Sequence, residues 1–182
     1  SLSDDLLILN LKTPRTKRLR FLAGQNAVLS RKDFPAVEIP IASCPCDDMN
    51  IQFHIARDSN NPLIQHIFQA LKSSDSVHIE GPTGSFILDE DSNNTTIFIA
   101  FDTGFAPIKS LIEHAVTLEH AESIHLYWIH TDEKPYMHNQ CRAWEDALDN
   151  FKYQQVQYNL SDKKQLQSKL DLLITEYPDF SE

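Results

Sequence analysis

A chain of 182 residues, 41% of them hydrophobic and carrying a formal net charge of −10, can bury one large core or two small ones. No apolar run approaches the ~20 residues that span a bilayer, and the surplus of acid argues against nucleic acid and anionic membranes as partners, since both need clustered Lys and Arg. Three cysteines are too few and too odd in number for a disulfide framework, so a reducing cytoplasm is the default compartment, and the acidic start Ser1-Leu2-Ser3-Asp4-Asp5 carries no signal peptide.

The first half has the rhythm of short strands. They are expected over 6–9, around Leu19 and Phe21, over 26–30, over 37–41 and over 51–55, where Ile51, Phe53 and Ile55 alternate with polar neighbours. The cluster Arg15, Lys17, Arg18 and Arg20 reads as a solvated edge. A single helix over 62–72, with Leu63, Ile64, Ile67, Phe68 and Leu71 on one face, interrupts the strands. A strand over 76–80 precedes the turn Gly81-Pro82-Thr83-Gly84, and another follows over 85–88. Many short strands punctuated by Pro, Gly and Asn indicate an antiparallel β-barrel or sandwich. The polar run 89–94 separates this domain (1–89) from a second (95–182).

The second domain alternates. Strand 96–101 leads to a helix over 107–119, strand 124–129 to a helix through Ala143, Trp144, Ala147 and Leu148, and strand 153–158 to a helix over 163–174. This β-α-β-α-β-α order gives a parallel sheet, an α/β Rossmann-like domain. The junction Asp102-Thr103-Gly104-Phe105-Ala106-Pro107 stands at the carboxyl end of its first strand. Gly104 allows a sharp turn or a close ligand, Pro107 suits the first helical position, and a helix start at such a place favours an anion.

Other chemistry finds little support. Cys44-Pro45-Cys46 with Asp47 and Asp48 falls short of the four ligands of a structural zinc site. The eight histidines include no His-Glu-x-x-His, Asp89-Glu90-Asp91 lacks the rest of a calcium loop, and no nucleophile elbow or Gly-x-x-x-x-Gly-Lys loop occurs. No metal is expected.

Four blocks, in order, carry a resemblance: Phe21-Leu22-Ala23-Gly24-Gln25, Ile41-Ala42-Ser43-Cys44-Pro45, the stretch from Leu71 through Gly81-Pro82-Thr83-Gly84 to Phe86, and Thr103-Gly104-Phe105-Ala106-Pro107. Together they resemble the flavin- and pyridine-nucleotide-binding module of the ferredoxin–NADP reductase superfamily, in the manner of oxygenase reductase components and sugar-deoxygenation reductases. The resemblance implies FAD on a six-stranded barrel and a nicotinamide nucleotide on the α/β domain. Thr103, Gly104, Ala106 and Pro107 would contact the nucleotide, and Ser43, Gly81 and Gly84 would approach the flavin. Hydride would pass from NADH to flavin, and electrons onward to an iron–sulfur or oxygenase partner.

The departures from the family pattern shape the expectation. An Arg-x-Tyr-Ser block that holds the flavin phosphate and ring is replaced by Val37, Glu38, Ile39 and Pro40, and a Gly-x-x-Ser helix start by Asn61-Pro62-Leu63-Ile64. A charge-assisted hydrogen bond contributes about 1.5–3 kcal/mol, so the loss of several predicts flavin binding weakened by orders of magnitude. The alternative function is therefore a reductase fold that has lost its flavin and serves as a binding or scaffolding module. Phe101-Asp102 replaces Gly-Gly before Thr103, which brings a carboxylate near a pyrophosphate unless it turns away. His130-Thr131 leaves no arginine for a 2′-phosphate, and Asp132 and Glu133 favour NADH over NADPH. The family continues past the position of Glu182 into a strand that pairs with 96–101. The chain is thus expected to be a fragment, with the open edge of strand 96–101 covered.

Overall fold

The computed structural model describes residues 5–47, 49–119 and 121–158, together with 167, 168, 171 and 175. The helix expected over 163–174 lies for the most part outside the described residues. Among those described, no helix is long and apolar enough to cross a membrane.

Strand β1 (Leu6–Lys12) pairs antiparallel with β4 (Asn50–Ala56), Leu6 opposite Ala56 and Lys12 opposite Asn50. Strand β2 (Asn26–Arg31) lies antiparallel between β3 (Phe34–Pro40) and β5 (His78–Thr83). A bridge between Ile41 and Phe53 ties the two sheets. Their inward side chains, among them Ala27, Leu29, Ile39, Ile51, Phe53 and Ile55, meet Leu63, Ile64 and Ile67 of helix α1 (Pro62–Gln69) in one cluster. Each large side chain fully buried there contributes roughly 1.5–3 kcal/mol. Helix α1 starts where it does because the Asn61 side chain accepts the Leu63 and Ile64 amides, both at 3.1 Å, and Pro62 holds the first helical position.

Three local expectations need correction. Leu19 to Leu22 forms no ladder: Phe21 is buried and Leu19 packs on the core, but the Leu22 amide donates to the Gln25 side chain at 2.8 Å, a local turn contact that replaces sheet pairing. The turn over Gly81–Gly84 is shorter than expected, since β5 continues to Thr83. Residues 85–88 make no strand; Phe86 and Ile87 are exposed.

In the second half β7 (Ile124–His130) runs parallel between β6 (Thr96–Phe101) and β8 (Phe151–Gln157), Ala100 opposite Trp128 and Ile124 opposite Phe151. Six of its seven residues are buried, as a parallel strand covered on both faces requires. Helices α2 (Phe105–Leu118) and α3 (His138–Ala147) share one core with this sheet, through Phe105, Ile108, Leu111 and Ile112 of α2, Cys141 of α3, and Phe98, Leu126 and Trp128 of the strands. Strand β6 pairs with β7 alone among the described residues, and its Ile99 and Phe101 side chains are exposed. The expectation that this edge is covered is not met among the described residues.

The halves are clamped together at three places. Ala23 and Leu88 enter the α/β core. Gly24, at φ +89°, leaves no room for a side chain, since a Cβ there would stand 2.0 Å from the Phe86 carbonyl oxygen, with the Leu111 side chain at 3.1 Å. Buried Lys109 and Ser110 of α2 donate to the carbonyls of Ala42 (3.2 Å) and Ser43 (2.7 Å). Buried His54 of β4 meets the Tyr136 hydroxyl at 2.8 Å through Nδ1 and the Gln52 side chain at 3.1 Å through Nε2.

Candidate functional site

Strand β6 ends at Phe101, and a short 3-10 turn over Asp102–Gly104 feeds α2, which begins at Phe105. The helix therefore starts two residues before the expected position. Pro107 falls within the first turn, where amides have no intrahelical acceptor, so it still costs no hydrogen bond. Gly104 is the N-cap, and no side chain caps the terminus. A Cβ built on Gly104 would find nothing within 4 Å. Thr103, Gly104, Ala106 and Pro107 thus stand at an uncapped helix start at the carboxyl end of a parallel strand; Thr103 and Gly104 are exposed, Pro107 is half-buried and Ala106 is buried. The helix dipole and the leading amides there suit an anion.

This start is held from below. The Phe105 ring stacks on Trp128 with centroids 3.9 Å apart, and Tyr136 meets Trp128 edge-on at 5.1 Å. The Trp128 indole N–H donates to the Asp102 carbonyl at 3.0 Å. The Asp102 carboxylate turns away from the helix start. Its Oδ1 accepts the Thr131 amide (2.9 Å) and hydroxyl (3.1 Å), and its Oδ2 accepts the Tyr158 hydroxyl (3.1 Å). Asp102 has φ +42°, a backbone region that glycine enters freely and that Asp tolerates better than most residues, and its side-chain hydrogen bonds help to hold it there. The negative charge that a pyrophosphate would meet is thereby engaged elsewhere.

His130, the last residue of β7, is buried. Its Nδ1 donates to the Asp132 carbonyl at 3.0 Å, and its Nε2 has no partner among the described residues. This leaves one buried polar atom without a partner at the carboxyl end of β7 among the described residues. Nothing in the sequence sets this histidine apart from the other seven, and its burial is visible only once β7 is placed.

The remaining expected positions are dispersed. Ser43 is buried beneath α2, its carbonyl bound by Ser110 and its Oγ accepting the Gln52 amide at 3.1 Å. Gly81 and Gly84 lie against β2, beside Ala27 and Asn26 respectively, and the Gly84 carbonyl accepts from the Gln25 side chain at 3.0 Å. No described contact joins either glycine to Ser43 or to the start of α2.

The flavin side can be tested against its residues. Ile39 and Ile64 are buried in the first core and Val37 packs against it, so none offers a polar atom to a ligand. The group that β3 presents outward is the Glu38 carboxylate, bonded by the Thr83 hydroxyl and by the Asn26 side chain at 3.1 Å. Those bonds, Thr83 foremost, hold its pKa below the usual carboxylate range, so it stays negative. The α1 amides that a pyrophosphate could use are already taken by Asn61. These residues do not fit an FAD anchored through its phosphates.

A cavity of about 450 Å³ opens between the first half and α2, lined by Ser43, Cys44, Cys46, Asp47, Lys109 and Glu113 among others. Cys44 and Cys46 are joined by a disulfide, and Cys141 is free and buried, its thiol pushed up to about 12 by burial. The bridge spans two residues. In the chain-entropy view so small a loop contributes about 1.5 kcal/mol, against about 3 for a loop of ~15 residues. Among the described residues no group of three or more His, Cys, Asp or Glu converges as metal ligands.

No family model matches the chain. It is 34% identical over 131 residues to CDP-6-deoxy-L-threo-D-glycero-4-hexulose-3-dehydrase reductase of Yersinia pestis, covering 70% of this chain and 38% of that protein. It is 31% identical over 120 residues to an NAD(P)H-flavin reductase of Aliivibrio fischeri, covering 62% and 50%. The fold matches phthalate dioxygenase reductase, a modular structure for electron transfer from pyridine nucleotides to [2Fe-2S], with a TM-score of 0.73 at 16% identity, covering 98% of this chain and 61% of that one. The chain spans half or less of the length of these two curated relatives.

Proposed function

We propose that this chain, which belongs to the ferredoxin–NADP reductase superfamily, is the nucleotide-binding module of a NADH-dependent flavoprotein oxidoreductase serving an iron–sulfur or oxygenase partner. The observation that carries the reading is the uncapped start of α2 with the Asp102 carboxylate turned onto Thr131 and Tyr158. Thr103 and Gly104, the exposed residues of the junction, approach the pyrophosphate there at the positive end of the α2 dipole, and Pro107 holds the turn. Asp132 and Glu133 disfavour a 2′-phosphate. A bound nicotinamide supplies a hydride; what this chain supplies is placement and an electrostatic seat. Residues 1–89 form the flavin-facing part and 95–182 the nucleotide-facing part, with Ser43, Gly81 and Gly84 nearest the flavin. Because the phosphate anchors are absent, the flavin is exchangeable rather than resident. The setting is the cytoplasm, where NADH is the working reductant.

A second reading is favoured by Ile39 in the core and the Asn61 cap on α1: a module without flavin, used for binding. NADH oxidation by the purified protein, followed with and without added FAD, separates the two. Oxidation that depends on added flavin, at least tenfold faster with NADH than with NADPH, is the expected result. NADH binding with no oxidation at any flavin concentration would leave the binding module, and equal rates with NADPH would remove the role given to Asp132 and Glu133.

A further inference from the structure

We propose that Cys44 and Cys46 are a thiol–disulfide exchange couple whose substrate is a thiol, and whose state is felt by α2 through the loop it docks on. The two residues both line the cavity with Lys109 and Glu113 but differ in access: Cys44 is 6% exposed, whereas Cys46 is exposed. An attacking thiolate therefore lands on Cys46 Sγ. The sulfur–sulfur bond breaks, Cys44 leaves as a thiolate, and the thiol partner is joined to Cys46 as a mixed disulfide. The Cys46 amide donates to Cys44 Sγ at 3.3 Å, a contact that strengthens as negative charge appears on that sulfur. A second thiolate from the partner attacks its own sulfur in the mixed disulfide and expels the Cys46 thiolate. Both leaving thiolates take protons from water. The partner has then lost two electrons as its thiols become a disulfide, and the cysteine pair has gained two electrons and two protons.

Two features distinguish this bridge from a staple. It closes the shortest kind of loop, where cross-linking restrains the unfolded chain least. It also directly follows Ala42 and Ser43, whose carbonyls accept from Lys109 and Ser110. Opening it frees the backbone next to those acceptors, so the reduced form holds α2 less firmly. Asp47 and Glu113 also line the cavity. Glu113 is engaged by Lys109 at 2.7 Å and Asp47 by Asn50 at 2.9 Å, so neither carboxylate stands unpartnered before the incoming thiolate.

The full chain equilibrated in glutathione buffers of graded ratio, then alkylated and read by mass, should show Cys44 and Cys46 titrating together as one two-electron couple. Cys141 serves as the buried internal reference. Cys44→Ser should carry one glutathione on Cys46, while Cys46→Ser should carry none, since its remaining sulfur is buried. A purified thioredoxin in place of glutathione distinguishes the sources: faster reduction by it assigns a protein dithiol, and equal or faster reduction by glutathione a small thiol. Amide exchange over 105–118 should be faster in the reduced protein. The proposal is overturned if dithiothreitol leaves the bridge intact in the folded wild type, if no oxidised fraction forms in any buffer, if both variants capture glutathione equally, or if amide exchange in α2 is the same in both states.

Discussion

Between pH 7 and pH 4.5 the protein is expected to lose about 2 kcal/mol of stability through His54 alone. Burial, with a smaller contribution from the nearby Lys109 charge, lowers the pKa of this imidazole from 6.5 to about 4. The folded state therefore stays unprotonated at His54 where the unfolded chain already takes up a proton. Below pH ~6.5 the unfolded state binds more protons, so stability falls as pH drops, and the contribution is fully lost near pH 4. A shift of that size corresponds to about 3 kcal/mol in total, most of it within the range named. The consequence is structural, because His54 bonds Tyr136 across the two halves, and a protonated ring there is a buried charge with only a phenol and an amide beside it. Urea unfolding at the two pH values, for the wild type and for His54→Gln, isolates the effect from the carboxylates. The wild type should lose about 2 kcal/mol more than the variant. Equal losses would mean that His54 is not the buried neutral group described.

The second large effect belongs to the start of α2. Gly104→Asp should leave the fold intact while lowering NADH affinity at least tenfold. The backbone at Gly104, φ −71° and ψ 8°, is open to any residue, and a new side chain meets nothing within 4 Å. Aspartate there gains no cap, since ψ 8° is not the extended backbone of a capping residue and Pro107 has no N–H to offer. The substitution would place a carboxylate where a pyrophosphate is proposed to sit, and like charges about 4 Å apart near a protein surface repel by roughly 4 kcal/mol before screening. Gly104→Asn adds a side chain of the same shape without the charge. The difference between the two variants should shrink as salt is added. Titration of each by NADH, with thermal midpoints in parallel, is the measurement. An Asp variant that binds NADH as tightly as the wild type would remove the nucleotide from this helix start.

The parts of this molecule legible from sequence are those written in periodicity. The run Thr96 to Phe101 is apolar without alternation and is β6 to the residue; Leu63, Ile64 and Ile67 mark the buried face of α1. Leu19 and Phe21 show where period alone misleads, because their alternation reflects burial against the core while the backbone turns onto Gln25. At the site, the junction Asp102 to Pro107 is readable because Gly and Pro restrict the backbone locally. The direction of the Asp102 carboxylate is not, since it depends on Thr131 and Tyr158, 29 and 56 residues away. The same holds for the clamp between the halves. Lys109 and Ser110 look like ordinary members of a helix face, and their acceptors at Ala42 and Ser43 are 67 residues distant. Sequence spacing carries no record of such pairings. The apolar character of Val37, Ile39 and Pro40 is legible in the sequence, and the fold adds that Ile39 turns into the core and Val37 packs against it.

The proposed contrast between a nucleotide seat at the start of α2 and a flavin seat without phosphate anchors is most directly tested by the visible absorbance of the protein after gel filtration following incubation with excess FAD. The expected spectrum is nearly colourless, with well under a tenth of an equivalent of flavin retained, because the phosphate anchors have been replaced by Val37, Ile39 and the Asn61-capped helix start, and several lost charge-assisted contacts weaken binding by orders of magnitude. A flavin band at one equivalent that travels with the protein would contradict the account.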